Sequence, residues 1–184
     1  MKNIISFLLF ICPLLVFALE EKAEKKGTPL VRVFSNFYTG FGAENDARGF
    51  YLDRSYIGYD YKLTKELSVR GVLDVGKSNN VDDYQRIAYI KNALITWKKN
   101  KFTLNGGLIS TTQFNFQEKF WRNRYIMKSF QDEYKFGSSA DLGISVSYKF
   151  TDWVSADAMV VNGEGYKKIQ KFDGLNYGLG FTFN

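Results

Sequence analysis

The sequence predicts an all-β chain, an antiparallel transmembrane β-barrel of eight strands, and three observations predict it. Several stretches alternate strictly between apolar residues and polar or small ones, the period-2 signature of a strand with a different solvent on each side. The connections between these stretches alternate short and long, the plan of an outer-membrane barrel whose short turns are periplasmic. Large aromatics gather at the short-turn ends, where amphipathic rings settle at the headgroup level of a bilayer.

The 184 residues open with Lys2, an apolar run from Ile4 to Phe17, and Ala18. A charged start, a short apolar stretch and small residues at Val16 and Ala18 predict a signal peptide over residues 1–18, hence export. Cys12 does not read as a lipidation site, because no small residues precede it and Pro13 follows. Residues 19–29, with Glu-Glu-Lys-Ala-Glu-Lys-Lys at 20–26, read as a charged periplasmic leader. No second linker or composition shift follows, so residues 30–184 form one domain, the barrel itself.

The clearest strand is Ala140-Leu142-Ile144-Val146-Tyr148-Phe150, with Asp141, Gly143, Ser145, Ser147 and Lys149 on its other face. Leu67 to Val75, Phe102 to Leu108 and Leu175 to Phe183 repeat the pattern. Weaker strands are expected near 30–41, 50–63, 84–97 and 153–162; in 84–97 the phase is ambiguous, because Lys91 and Asn92 fall on opposite faces. Thr64-Lys65-Glu66, Lys98 to Lys101 and Thr151-Asp152 are the tight turns, and 42–49, 76–83, 112–137 and 163–172 the long loops. Tyr59, Tyr61, Trp97, Phe102, Tyr148, Phe150, Phe181 and Phe183 make the expected periplasmic girdle. A soluble antiparallel barrel would instead bury these rings at one end of a small core and turn Gly143, Gly178 and Gly180 to water. The membrane reading is the better fit, because a lipid face must be continuous and apolar.

Residues 112–137, the third long loop, do not read as a strand. Asn115-Phe-Gln-Glu118 has capping-box form, and Gly137 stands where a residue ending a helix would. Phe116, Phe120, Met127, Phe130 and Tyr134 recur at helical spacing, which predicts one or two short helical turns. So much aromatic surface, beside five cations and three acids, needs a partly apolar and partly wet place to pack. Two placements are open: inside the lumen of a wide barrel, or capping a small closed one. Asn162-Gly163-Glu164-Gly165 reads as the top of a hairpin rather than a calcium loop, since it holds too few ligands.

Composition excludes several function classes. The chain has no histidine, and its one cysteine, Cys12, leaves with the signal peptide. Ser-His-Asp and Cys-His catalysis and the usual zinc sites are therefore ruled out, and no enzyme activity, metal or cofactor is expected. Loss of Lys2 takes the net charge from +6 to +5. Dispersed on an exported chain, that charge suits an outer-membrane surface of lipid and lipopolysaccharide or small anionic solutes, and not nucleic acid. The strand phases point Arg32, Arg54, Arg70 and Lys149 inward with Asp60, Asp74, Asp141 and Asp157. In a closed small barrel such charges pair with one another; in an open one they select ions.

Phe120-Trp-Arg-Asn-Arg-Tyr125, Ser139-Ala-Asp-Leu-Gly143 and Val161-Asn-Gly-Glu-Gly-Tyr166 resemble segments of outer-membrane porins of the phosphate-selective O/P type, in a patchy match over residues 49–184. The resemblance implies a homotrimer of sixteen-stranded barrels with Arg and Lys lining the lumen. Eight strands would be the N-terminal half of such a barrel, in a truncated product or a fragment. By analogy with general porins, whose third loop folds inward, Arg122, Arg124, Lys119 and Lys128 are expected near a constriction. The expected function is a Gram-negative porin in the outer membrane, passing small solutes by diffusion with a weak preference for anions. The alternative is a small eight-stranded outer-membrane barrel with a structural or adhesive role.

Overall fold

The fold was analysed in a computed structural model of the chain, which describes residues 27–42, 47–77, 85–124, 126–168, 171 and 174–183. The signal peptide and most of the charged leader lie outside the described residues. Eight strands appear, β1 (Gly27–Thr39), β2 (Arg48–Lys62), β3 (Leu67–Gly76), β4 (Ile87–Lys99), β5 (Phe102–Ser110), β6 (Ala140–Lys149), β7 (Val154–Val161) and β8 (Asn176–Phe183). Each pairs antiparallel with its chain neighbours in one sheet of order β1 to β8. Among the described residues β1 and β8 do not pair with each other, so the sheet is open. The first strand starts three residues before the expected Leu30, because Gly27, Thr28 and Pro29 pair with Tyr61, Asp60 and Tyr59 of the long β2. Pro29 lacks an N–H, which an edge strand tolerates.

Both faces follow from alternation. Val31, Ile57, Leu73, Ile95, Leu104, Ile144, Val160 and Leu179 lie exposed on one face, and Val31–Ile57, Ile57–Leu73 and Ile144–Val160 are direct cross-strand pairs. Toward the short turns the same face carries ring pairs, Tyr59–Tyr61 at 6.4 Å, Trp97–Phe102 at 5.7 Å and Tyr148–Phe150 at 5.0 Å. Thr64 and Thr151 shape two of these turns, each hydroxyl accepting from the N–H groups two and three residues on. Gly107 pairs with Gly143; a Cβ on Gly143 would run into the backbone of Val160, so the close approach of β7 requires glycine there.

The core lies on the other, polar face. Its buried members include Val72, Ile109, Met159 and Val161 with Asp74, Asn92, Asp141 and Ser145. Over them lies the connection between β5 and β6, containing α1 (Thr112–Trp121) and α2 (Phe130–Glu133), with Phe114 buried. The expected helical turns are present, but the capping box is not. Thr111 is the N-cap of α1, and Asn115 sits inside the helix, its N–H donating to the Thr111 carbonyl at 3.1 Å. The cap lies four residues before the expected Asn115, so the helix starts as soon as β5 ends. Nor does Gly137 close a helix: Arg122 takes the left-handed conformation that ends α1 (φ 56°), and α2 ends at Tyr134.

Two β-bulges interrupt the pairing. Val72 faces Asn92 while Leu73 faces Ile90, leaving Lys91 as the extra residue in β4. This resolves the ambiguous phase, since both Lys91 and Asn92 turn to the polar face. Asp53 is the extra residue between β1 and β2, and Arg86 donates to the carbonyls of Leu52 (2.7 Å) and Asp53 (3.3 Å) there.

Candidate functional site

The polar face carries a charged cluster toward the long loops. Asp74, 2 % exposed, stands in β3 between two cations and two phenols. Tyr166, from the loop after β7, donates its hydroxyl to Asp74 Oδ2 at 2.5 Å, and Arg54 of β2 lies 3.7 Å from the same oxygen. The bulge brings Lys91 Nζ to Ser139 Oγ at 2.8 Å, with the ammonium 4.8 Å from the centre of the Tyr56 ring and 4.6 Å from that of Tyr166. Such positions let the ring faces stabilise a cation that has left water. Burial, and then the bond to Asp74, push the Tyr166 phenol well above the ordinary tyrosine value.

A second carboxylate fixes the loop that supplies Tyr166. Asp141, 1 % exposed, accepts from the N–H groups of Gly163 at 2.7 Å and Gly165 at 3.1 Å, both at positive φ. The Asn162–Gly165 stretch is thus a turn bound to the sheet wall by its own backbone, and it opens a longer loop. Asp141 was expected as a lumen charge; its place is structural, because both turn glycines aim their donors at it.

Toward the short turns lies a cavity of about 580 Å³, lined by Asp60, Arg70, Thr96, Asn105 and Ser145 from the sheet and by Thr112 and Asn115 from α1. Thr96, Asn105 and Ser145 form a hydrogen-bonded chain across β4, β5 and β6, at 2.7 and 3.0 Å. Arg70 meets Asp60 in a two-pronged ion pair at 2.5 and 2.7 Å, the geometry that gives Arg–carboxylate pairs their strength.

The expected site residues therefore separate. Arg54 joins the charged cluster and Arg70 the cavity. Arg124 is half-buried and ion-paired to Asp132 at 2.5 Å and Glu118 at 3.7 Å. Lys128 reaches Glu133 at 3.7 Å. Lys149 sits at the turn after β6, 2.8 Å from the exposed Asp152, whose carboxyl this contact holds below the usual range. Lys119 and Arg122 are exposed, and no ion pair holds either among the described residues. Of residues 112–137, Thr112 and Asn115 of α1 lie against the polar face of the sheet. Tyr56, Lys91 and Tyr166 were missed as site residues. The adjacent Lys91 and Asn92 in an otherwise alternating strand were the legible signal, since only a bulge puts both on one face.

Among the described residues no three His, Cys, Asp or Glu side chains gather as a metal would need, and no helix is long and apolar enough to cross a membrane. No protein-family model, curated protein or solved structure matches the chain.

Proposed function

We propose that the chain forms part of the wall of an outer-membrane porin, through which small solutes diffuse. One observation carries this reading: a largely apolar face runs across all eight strands, with Phe50 90 % and Leu179 85 % exposed, opposite a face of charges, hydroxyls and amides. In water so large an apolar surface is a liability; against lipid it is the required surface. The unpaired edges of β1 and β8 argue for closure into a wider barrel, sixteen strands if its other half resembles this one, because no open edge is stable in hydrocarbon. Residues 112–137 then narrow the pore. Outer-membrane lipid, lipopolysaccharide and, by resemblance, a trimer of such barrels are the partners of this reading.

Anion preference is weak in this proposal. Arg54, Arg70, Arg124 and Lys128 each have an acidic neighbour, which leaves Lys119, Arg122 and Lys135 as the cations of the third loop best able to bias entry. Those same pairs favour a second reading, a non-conducting barrel with a structural or adhesive role, in which the charges only hold the interior together. Planar-bilayer recordings separate the two. Conductance is expected, with Lys119→Glu together with Arg122→Glu moving the reversal potential toward cations. The shift is largest at about 0.01 M salt, where the Debye length is roughly 30 Å. A silent bilayer from outer-membrane-extracted protein removes the porin reading.

A further inference from the structure

The open sheet ends in two edges that complement each other. β1 and β8 run in opposite directions, because eight strands alternate. A β8 laid beside the β1 of a second molecule is therefore antiparallel, and two such seams related by a twofold rotation close sixteen strands.

Side chains at the two edges agree with this. On β8, Tyr177, Leu179, Phe181 and Phe183 share the apolar face, while Gly178, Gly180 and Thr182 share the polar one. On β1, Val31 and Val33 are apolar-facing, and Arg32 and Phe34 face the polar side, opposite Tyr56 and Arg54. Setting Gly180 against Arg32 pairs all eight residues of β8 with residues 29–36 and keeps both faces in phase. It places Leu179 beside Val33, Phe181 beside Val31, and the two large side chains Arg32 and Phe34 against the two glycines. Asp157 of β7 leans over Gly180, where its carboxylate fills the space a Cβ would take. Among the described residues the side chains of Asp157 and Arg32 have no hydrogen bond or ion pair. The seam brings them together.

Closure of one molecule on itself would use the same edges but lacks the room. The interior of an eight-stranded barrel is just filled by its own side chains, whereas this polar face already carries α1, α2 and the cavity of about 580 Å³. Phe120, Phe130, Tyr134 and Phe136 on that connection remain exposed; across a twofold axis they face their own counterparts. We infer that two copies of this chain form one barrel, joined by β8-to-β1 seams in which Arg32 of one copy pairs with Asp157 of the other. The inference rests on the membrane reading above.

Cysteine crosslinking in the full chain carrying Cys12→Ser tests it, because no other thiol is present. Cells expressing the Val33→Cys chain and the Leu179→Cys chain together should yield an oxidised heterodimer in the outer-membrane fraction. Val31→Cys with Leu179→Cys should lose it, since residues two apart along a strand lie beyond disulfide reach. Arg32→Asp should weaken the dimer, and adding Asp157→Arg should restore it. A crosslinked monomer from the Val33→Cys/Leu179→Cys double variant, with no heterodimer, overturns the proposal in favour of self-closure. Membrane-bound chain with neither crosslink overturns it in favour of a different partner at the edges. Protein found only in the soluble fraction overturns the membrane reading, and the proposal with it.

Discussion

Asp74 is the acid on which the polar cluster converges, and Tyr166 gives it its shortest bond. A hydrogen bond to a charged group contributes about 1.5–3 kcal/mol, so Tyr166→Phe is expected to lower stability by that order in a urea titration. The pH dependence has a definite sign. The folded phenol holds its proton above the ordinary tyrosine value of 10.0, so below that pH its contribution is whole. As pH rises beyond it, the unfolded chain releases a proton that the folded chain keeps, and stability falls. Other tyrosines and lysines titrate in the same range; the difference between wild type and Tyr166→Phe isolates this group. Equal alkaline slopes for the two proteins would rule out the latch. Sequence reasoning reached Asp74 and missed Tyr166, because a partner 92 positions away is set by the way the loop after β7 returns over the sheet.

Strands β4 and β6 show two ways in which an element keeps its faces. In β6, Ile144 is 58 % exposed on the apolar face, and Ile144→Arg should cost about 2–4 kcal/mol in lipid. Ser145, the natural control one step along, is unsuitable: it is 4 % exposed and bonded to Asn105. Ser147 serves instead, since it pairs with Asp157 and an arginine there gains an acid opposite. Refolding titrations in vesicles should rank Ile144→Arg far below Ser147→Arg; equal costs would mean that the strand phase is wrong. In β4 the extra residue is Lys91, so its deletion should leave every other side chain on its present face while removing the cation from the cluster. Deleting Leu94 instead moves one arm of the strand to the wrong side. Membrane assembly is expected for the first deletion and failure for the second. Alternation made β3, β5, β6 and β8 legible within a residue or two. The bulge was not, because no single sequence feature says which residue is left unpaired.

At the scale of the molecule, strand number, strand order and the length of each connection could be read from hydropathy and turn chemistry, for these are local properties. Whether the sheet closes could not. Closure depends on what meets Thr28 to Asn36 at one edge and Asn176 to Phe183 at the other, and alternation is the same in an open sheet as in a closed one. The third loop was legible as helical turns, but not in its packing: its aromatic content suggested a protein-lined site, yet Phe114 is buried while Phe116, Phe120, Phe130, Tyr134 and Phe136 stay exposed. Its charges were not legible. Arg122 and Arg124 are two residues apart in sequence, yet one caps a helix in the open and the other is clasped by Asp132 and Glu118.

The connection between β5 and β6 lies on the polar face of its own sheet, and in a closed barrel that would fix an order of events. Ser139, near its end, already holds Lys91 of β4 and accepts from the Thr111 N–H at its start. Both anchors belong to strands that are neighbours or near neighbours in the chain, so they form without waiting for distant partners. Once a wall has closed, twenty-six residues bearing eight charges cannot be threaded through it from outside. In the barrel proposed above, such a plug would be seated while the barrel is still a sheet, and the last hydrogen bonds to form would be the ones that shut it in.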